Sequence, residues 1–62
     1  NDPDGIFNIY IEIGDLYFKQ QKYESSLPSY RAALKVSEDS KDARGQVIIL
    51  NRISASYSQW GN

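Results

Sequence analysis

Apolar residues recur at spacings of three and four along the first third of the chain, which is the period of one face of an α-helix. Pro3 follows Asp2, a pair typical of a helix start, because proline at the first helical position lacks an N–H that would stay unpaired there. The polar residues 20–22 interrupt the pattern, so a first helix is predicted from about residue 3 to Gln20. The apolar positions on its predicted inner face are Ile6, Ile9, Tyr10, Ile13, Leu16 and Tyr17.

A second stripe with helical spacing begins at Tyr23 and ends before the polar segment 37–41. A second helix is therefore predicted over about residues 23–39. Pro28 lies inside it, where a proline removes one hydrogen bond and crowds the preceding turn at a cost of about 3 kcal/mol. Two interpretations remain open at this point: the helix starts late, after a cap at Ser25, or it bends at Pro28.

A third helix is predicted over about residues 42–60, with Asp42 as its N-cap and Gly61 just beyond its end. The apolar stripe of this helix consists of Val47, Leu50, Ile53, Tyr57 and Trp60. Because the connections between the predicted helices are short, neighbouring helices should run antiparallel. The sequence thus predicts an all-α fold, an antiparallel helical hairpin followed by a third helix.

The chain also repeats itself at an offset of 40 residues. Identical residues recur at five pairs of positions: Asp2 and Asp42, Gly5 and Gly45, Ile9 and Ile49, Ile13 and Ile53, Tyr17 and Tyr57. A fixed period of this kind is typical of stacked repeats, in which one unit cannot bury its apolar face without a neighbour. We interpret the chain as a single domain with one complete repeat, 2–41, and half of a second, 42–62. Glycine at the same place in both repeats suggests a close contact there.

Composition excludes several classes of function. Eight acidic and seven basic residues leave a net charge of −1, which does not favour nucleic acid or an anionic membrane. The chain has no histidine and no cysteine, so nucleophilic triads and thiolate metal sites are excluded within it. Glu12 and Asp15 can share a helix face, but a solvated acidic edge explains them without an acid–base or metal role. We expect no enzyme activity, no cofactor, no metal and no membrane binding, and a cytoplasmic protein.

A family pattern is visible in eight residues: Tyr10, Ile13, Gly14, Tyr17, Tyr23, Ser26, Tyr30 and Ala33. They resemble the W-x-x-L-G-x-x-Y…A-x-x-x-F-x-x-A pattern of the tetratricopeptide repeat. Tyr10 replaces the tryptophan, Ser26 replaces the small alanine, and Glu38 stands where the family often has its closing proline. The period of 40 exceeds the usual value of about 34 and resembles the longer variant of the family.

The resemblance implies a fragment of an α-solenoid in which small residues permit close helix approach and large ones fill the space between the first two helices. The small residues are Gly14 and Ala33. The residues expected to fill the core are Tyr17, Leu27, Tyr30 and Leu34. An aromatic stripe at helical spacing is far more often structural than chemical, so these tyrosines are interpreted as core residues.

In arrays of this family the first helix of each repeat lines a concave groove. The resemblance therefore implies a protein–protein interaction module from a larger scaffold or signalling protein, which binds a peptide or helix on that surface. The residues it implies for the concave face are Asn8, Ile11, Asp15, Phe18, Lys19, Ile48, Asn51, Arg52, Ala55, Ser58 and Gln59.

The alternative is a structural segment that only stacks repeats or mediates self-association, with no ligand of its own. The third helix should meet a fourth that the chain does not contain, which leaves an apolar face uncovered. We expect self-association through this face. The residues expected to form it are Ile49, Ile53, Tyr57 and Trp60.

Overall fold

A computed structural model describes residues 3–61 of the chain, which form three α-helices. These are α1 (Pro3–Lys19), α2 (Tyr23–Asp39) and α3 (Ala43–Trp60). Three-residue connections return each helix alongside the one before it, and α2 packs against both α1 and α3. The predicted all-α fold and the three helices are confirmed. The predicted cap at Asp2 concerns a residue outside the described range.

Both connections use the same backbone turn. In the second, the N–H of Asp42 donates to the carbonyl of Ser37 at 2.8 Å, and the first contains the equivalent bond at the same length. The residue before the donor is left-handed in each turn, Gln21 with φ 64° and Lys41 with φ 57°. These bonds satisfy carbonyls that a helix end leaves unpaired. The two turns therefore repeat in structure although their sequences differ.

The start of α3 confirms the predicted cap at Asp42. Its carboxylate accepts a hydrogen bond from the N–H of Gly45 at 3.0 Å. A β-carbon at Gly45 would lie 2.6 Å from that carboxylate and 3.3 Å from Cζ of Phe7 on α1. The close contact expected at this glycine is thus present. Gly61 closes α3 as predicted, but in a right-handed rather than a left-handed conformation.

α2 begins at Tyr23, so the interpretation that it starts late, after a cap at Ser25, is wrong. Pro28 lies inside the helix. Its missing N–H deprives the carbonyl of Glu24 of a helical partner. Because Glu24 is exposed in the first turn, water can reach that carbonyl, which lowers the cost of the proline.

The core lies where α2 meets its two neighbours. The buried cluster consists of Phe7, Tyr30, Ala33 and Ile49, and the partly buried residues packed against it are Tyr10, Ile11, Leu34, Val36 and Ile53. Leu27 is buried as well. The predicted core positions of Leu27, Tyr30 and Ala33 are confirmed, whereas Tyr17 and Leu34 are only half-buried. Phe7, which was absent from the predicted inner face, is a core residue.

The predicted inner face of α1 is partly wrong. Four of its members are exposed: Ile6, Ile9, Ile13 and Leu16. The side of α1 that faces the core instead carries Phe7 and Gly14, flanked by half-buried aromatic and aliphatic residues. Apolar residues surround more than half of this helix, and their spacing alone does not tell which side another helix covers.

The expectation that Ile49 is uncovered is also wrong, because this side chain is 0% exposed and Ile53 is half-buried. The physical reason is that both side chains lie against α2, the helix that precedes α3, and not toward a missing fourth helix. Among residues 3–61, no helix is both long and apolar enough to cross a membrane.

Candidate interaction groove

An open groove of about 690 Å³ lies where the second half of α1 meets the first turn and α3. We call it the junction groove. The residues that line it are Glu12, Asp15, Leu16, Phe18, Lys19, Gln21, Tyr23 and Arg52. It combines apolar side chains with both signs of charge on one accessible surface.

Two aromatic rings form much of the apolar part of the junction groove. Phe18 near the end of α1 and Tyr23 at the start of α2 meet edge to face, with ring centroids 5.0 Å apart and an angle of 75° between the rings. This arrangement is favourable because the positive edge of one ring meets the negative face of the other. The tight turn between the helices makes the contact possible, since it folds Tyr23 back beside Phe18.

A polar cluster at the edge of the groove joins all three helices. The guanidinium of Arg52 on α3 contacts both carboxylate oxygens of Asp15 on α1. The phenol of Tyr30 on α2 donates a hydrogen bond to the same carboxylate. Asp15 therefore fixes the relative positions of the three helices with two directional interactions.

The polar cluster shifts the titration of two of its members. Burial raises the pKa of Tyr30 from 10.0 to about 12, and the hydrogen bond to Asp15 acts in the same direction. The hydrogen bond to Asp15 raises the pKa of Arg52 above its ordinary value. At neutral pH both side chains are protonated, which is the form in which they donate to Asp15.

The ion pair leaves this edge of the groove electrically neutral. The side chains of Arg52 and Asp15 are 44% and 41% exposed, so water and salt screen much of their attraction. Glu12 and Lys19, which carry opposite charges, both line the groove and lie seven residues or about 10 Å apart along α1. Within the described part of the chain, neither of them forms an ion pair, and no group of three metal-ligating side chains occurs.

The structure brings together four of the eleven residues predicted for the concave face, namely Asp15, Phe18, Lys19 and Arg52. The placement of Ile11 on that face is wrong, because this side chain is half-buried and packs against the core. The other predicted residues are exposed but lie outside the junction groove: Asn8, Ile48, Asn51, Ala55, Ser58 and Gln59.

Four residues of the groove were missed at the sequence level: Glu12, Leu16, Gln21 and Tyr23. Leu16 and Tyr23 had been assigned to inner apolar stripes. The signal that could have placed Tyr23 correctly is the short polar turn of residues 20–22, which forces the residues on its two sides into contact. No comparable signal links Asp15 to Arg52, which are far apart in the sequence.

A second uncovered surface lies on α3. The exposed apolar residues on this side are Val47, Leu50, Tyr57 and Trp60, which we call the α3 face. The rings of Tyr57 and Trp60 lie 6.3 Å apart, and Arg31 of α2 donates to the phenol of Tyr57 with its guanidinium carbon 6.0 Å from the ring centroid. Tyr57 and Trp60 are therefore exposed as expected, but Ile49 and Ile53 do not belong to this surface.

Comparison with protein-family models, with curated proteins and with solved structures found no match for the chain. The resemblance to the tetratricopeptide repeat accordingly stays a prediction from the residues. What the chain can bind has to be argued from its surfaces.

Proposed function

We propose that the chain is a protein–protein interaction module of tetratricopeptide type, part of a larger scaffold or signalling protein, which binds a peptide in the junction groove. The observation that carries the proposal is an accessible apolar strip flanked by opposite charges. Its volume lies within the range of about 300–1,000 Å³ that ligand sites occupy. An open groove of this shape suits a side chain of an extended or helical protein segment.

The residues that line the groove also indicate which side chains a bound segment would carry. An apolar or aromatic side chain packs against Phe18 and Tyr23, whose rings are already held edge to face. A basic group of the ligand is favoured beside Glu12, and an acidic group beside Lys19. A ligand carboxylate gains little at Arg52, because it has to compete with Asp15 for the same guanidinium.

A peptide library displayed on phage tests the proposal, with affinities of the selected peptides then measured by calorimetry. We expect Lys19→Glu to weaken binding of acidic–apolar peptides at least tenfold. Lys35→Glu is the matched control, because Lys35 is an exposed lysine of α2 that lies outside the groove and pairs with Asp39 at 3.7 Å. Selected peptides that bind both variants as tightly as the parent would contradict the proposal.

The alternative, a structural segment that stacks or self-associates, is favoured by the α3 face. Exposed apolar patches of a few hundred Å² on a protein surface often mark association sites. Trp60 is the only tryptophan and is 50% exposed, so its fluorescence reports on this face directly. This function predicts dimers by sedimentation at high concentration, together with a blue shift of the emission. A monomer with unshifted emission would exclude it.

A further inference from the structure

Two opposite charges of the junction groove are available to a ligand. Glu12 and Lys19 both line the groove, and in the part of the chain that the structure describes neither belongs to an ion pair. Lys19 follows Asp15 by four residues, a spacing at which an ammonium and a carboxylate can pair on a helix. The carboxylate of Asp15 is instead bound by Arg52 and Tyr30, which leaves the ammonium of Lys19 to a bound segment.

Glu12 is available because its neighbours on α1 cannot neutralise it. The residues four positions before and after it, Asn8 and Leu16, are uncharged, and Asp15 three positions later has the same sign of charge. The side chains of Glu12 and Lys19 are both exposed. The carboxylate of Glu12 therefore attracts a cation from outside α1.

The distance between the two charges limits the segment that can meet both of them. Their separation of about 10 Å along α1 equals three residue steps of an extended chain, at about 3.3 Å each. Two turns of a helix also span this distance, but a cylinder of that length and 10 Å diameter takes about 800 Å³. This exceeds the groove volume of about 690 Å³. An extended segment therefore fits both the spacing and the volume.

The surface between the two charges is apolar. Leu16 lies four residues after Glu12 and three before Lys19 and is 58% exposed. Asp15 and Arg52 neutralise each other at the edge of the groove. The part of the ligand that lies between its own charged residues is consequently expected to be apolar.

We infer that the junction groove accepts an extended segment with a basic and an acidic residue three positions apart and apolar residues between them, and that it holds this segment in one direction. The basic residue lies beside Glu12 and the acidic residue beside Lys19. The reverse direction is disfavoured, because it brings like charges together at both places. Direction and length go beyond the function proposed above, on which they rest.

NMR with a spin-labelled peptide measures the direction. The probe is the sequence Lys-Leu-Phe-Glu between short Gly-Ser flanks, with a nitroxide on the flank next to the lysine. We expect the nitroxide to broaden the amide signals of residues 8–12 more than those of residues 19–22. A peptide with glutamine in place of both charged residues should bind about fivefold more weakly, the usual magnitude for two exposed charge pairs.

An exchange of the two charges is the variant that tests the direction. Glu12→Lys combined with Lys19→Glu keeps the net charge and should reverse the direction, so that the same nitroxide broadens residues 19–22 more. Lys35→Asp combined with Asp39→Lys exchanges an exposed pair of α2 outside the groove. This matched control should keep the direction seen with the parent.

The inference is overturned if the probe binds but broadens both ranges equally, or if the exchanged charges leave its direction unchanged, and in both cases the proposed function stands. It is also overturned if the probe does not bind while library peptides of another pattern, such as a helix with charges seven residues apart, do. If neither the probe nor any library peptide binds the parent, the proposed function fails as well.

Discussion

Gly14 and Tyr30 are in such close contact that a β-carbon on the glycine would lie 2.5 Å from Cε1 of the tyrosine ring. Tyr30 is only 1% exposed, so the ring has no open space into which it can move. The glycine in the middle of α1 is therefore a requirement of the core, although glycine is intrinsically unfavourable in a helix.

Gly14→Ala should consequently destabilise the protein, even though alanine favours helix formation. We expect the free energy of unfolding to fall by about 1–3 kcal/mol, the usual cost of forcing extra volume into a packed core. Urea unfolding measures it. Ser54→Ala at the corresponding, exposed position of α3 is the control and should change stability by less than about 0.5 kcal/mol. A Gly14→Ala protein as stable as the parent would show that the ring and the glycine are not in contact.

The raised pKa of Tyr30 predicts that the folded protein loses stability in alkaline solution. Its pKa is raised from 10.0 in the unfolded chain to about 12 in the folded protein, chiefly by burial. Between these values the unfolded chain binds fewer protons at this group than the folded protein does. The contribution is fully present below pH 10 and is lost as the pH rises toward 12, at a slope of about 1 kcal/mol per pH unit.

Denaturant unfolding of the parent and of Tyr30→Phe at pH 9 to 12 isolates this contribution, because the variant keeps the ring and removes the titrating hydroxyl. We expect the stability difference between the two proteins to shift in favour of Tyr30→Phe above pH 10. A difference that stays constant across this range would mean that the phenol titrates normally.

Glycine in place of a left-handed turn residue is predicted to stabilise the folded protein. Gln21 has φ 64°, a conformation that costs a residue with a side chain about 1 kcal/mol and costs glycine little. Gln21→Gly should therefore raise the free energy of unfolding by about 0.5–1 kcal/mol. Gln20→Gly, one residue earlier and without a positive φ, serves as the control and should give no gain. Equal effects of the two substitutions would speak against the turn described.

The contact between Asp15 and Arg52 is measurable by a double-mutant cycle. With Asp15→Asn, Arg52→Gln and the double variant, we expect a coupling of about 0.5–1 kcal/mol, because both side chains are partly exposed. The coupling should decrease in 1 M salt, where the screening length falls to about 3 Å. No measurable coupling at low salt would indicate that α1 and α3 are not joined at this point.

Much of the fold is predictable because helix boundaries follow local rules. Caps, polar interruptions and apolar spacing place α2 and α3 to within a residue of the observed bounds, and the small and large residues of the first repeat identify Gly14, Tyr30 and Ala33 as core positions. The repeat pattern also predicts an uncovered apolar face on α3, of which Tyr57 and Trp60 are exposed whereas Ile49 is buried.

Whether another helix covers a given side chain is not determined by the local sequence around it. Ile9 and Ile49 are the same residue at the same place in the repeat, yet one is 55% exposed and the other is fully buried. The difference arises only because α2 precedes α3, whereas no helix precedes α1 among the described residues. The sequence-level assignment of Ile49 to an open face failed for this reason.

The junction groove shows a similar limit. The family resemblance implies Phe18 and Lys19 for the concave face, and both line the groove, but the polar cluster depends on how α3 lies across α1. Arg52 reaches Asp15 only once α2 has set the distance between those helices. Contacts of this kind depend on tertiary geometry, which spacing within one helix does not encode.

The central claim is that α2 packs between α1 and α3 and leaves an apolar side of α1 exposed, which consists of Ile6, Ile9, Ile13 and Leu16. The most direct measurement is methyl NMR of isoleucine-labelled protein with a soluble nitroxide added. We predict strong broadening of the Ile9 methyl signals and protection of the Ile49 signals. Equal broadening of the two residues, or protection of Ile9 in the free chain, would contradict this arrangement.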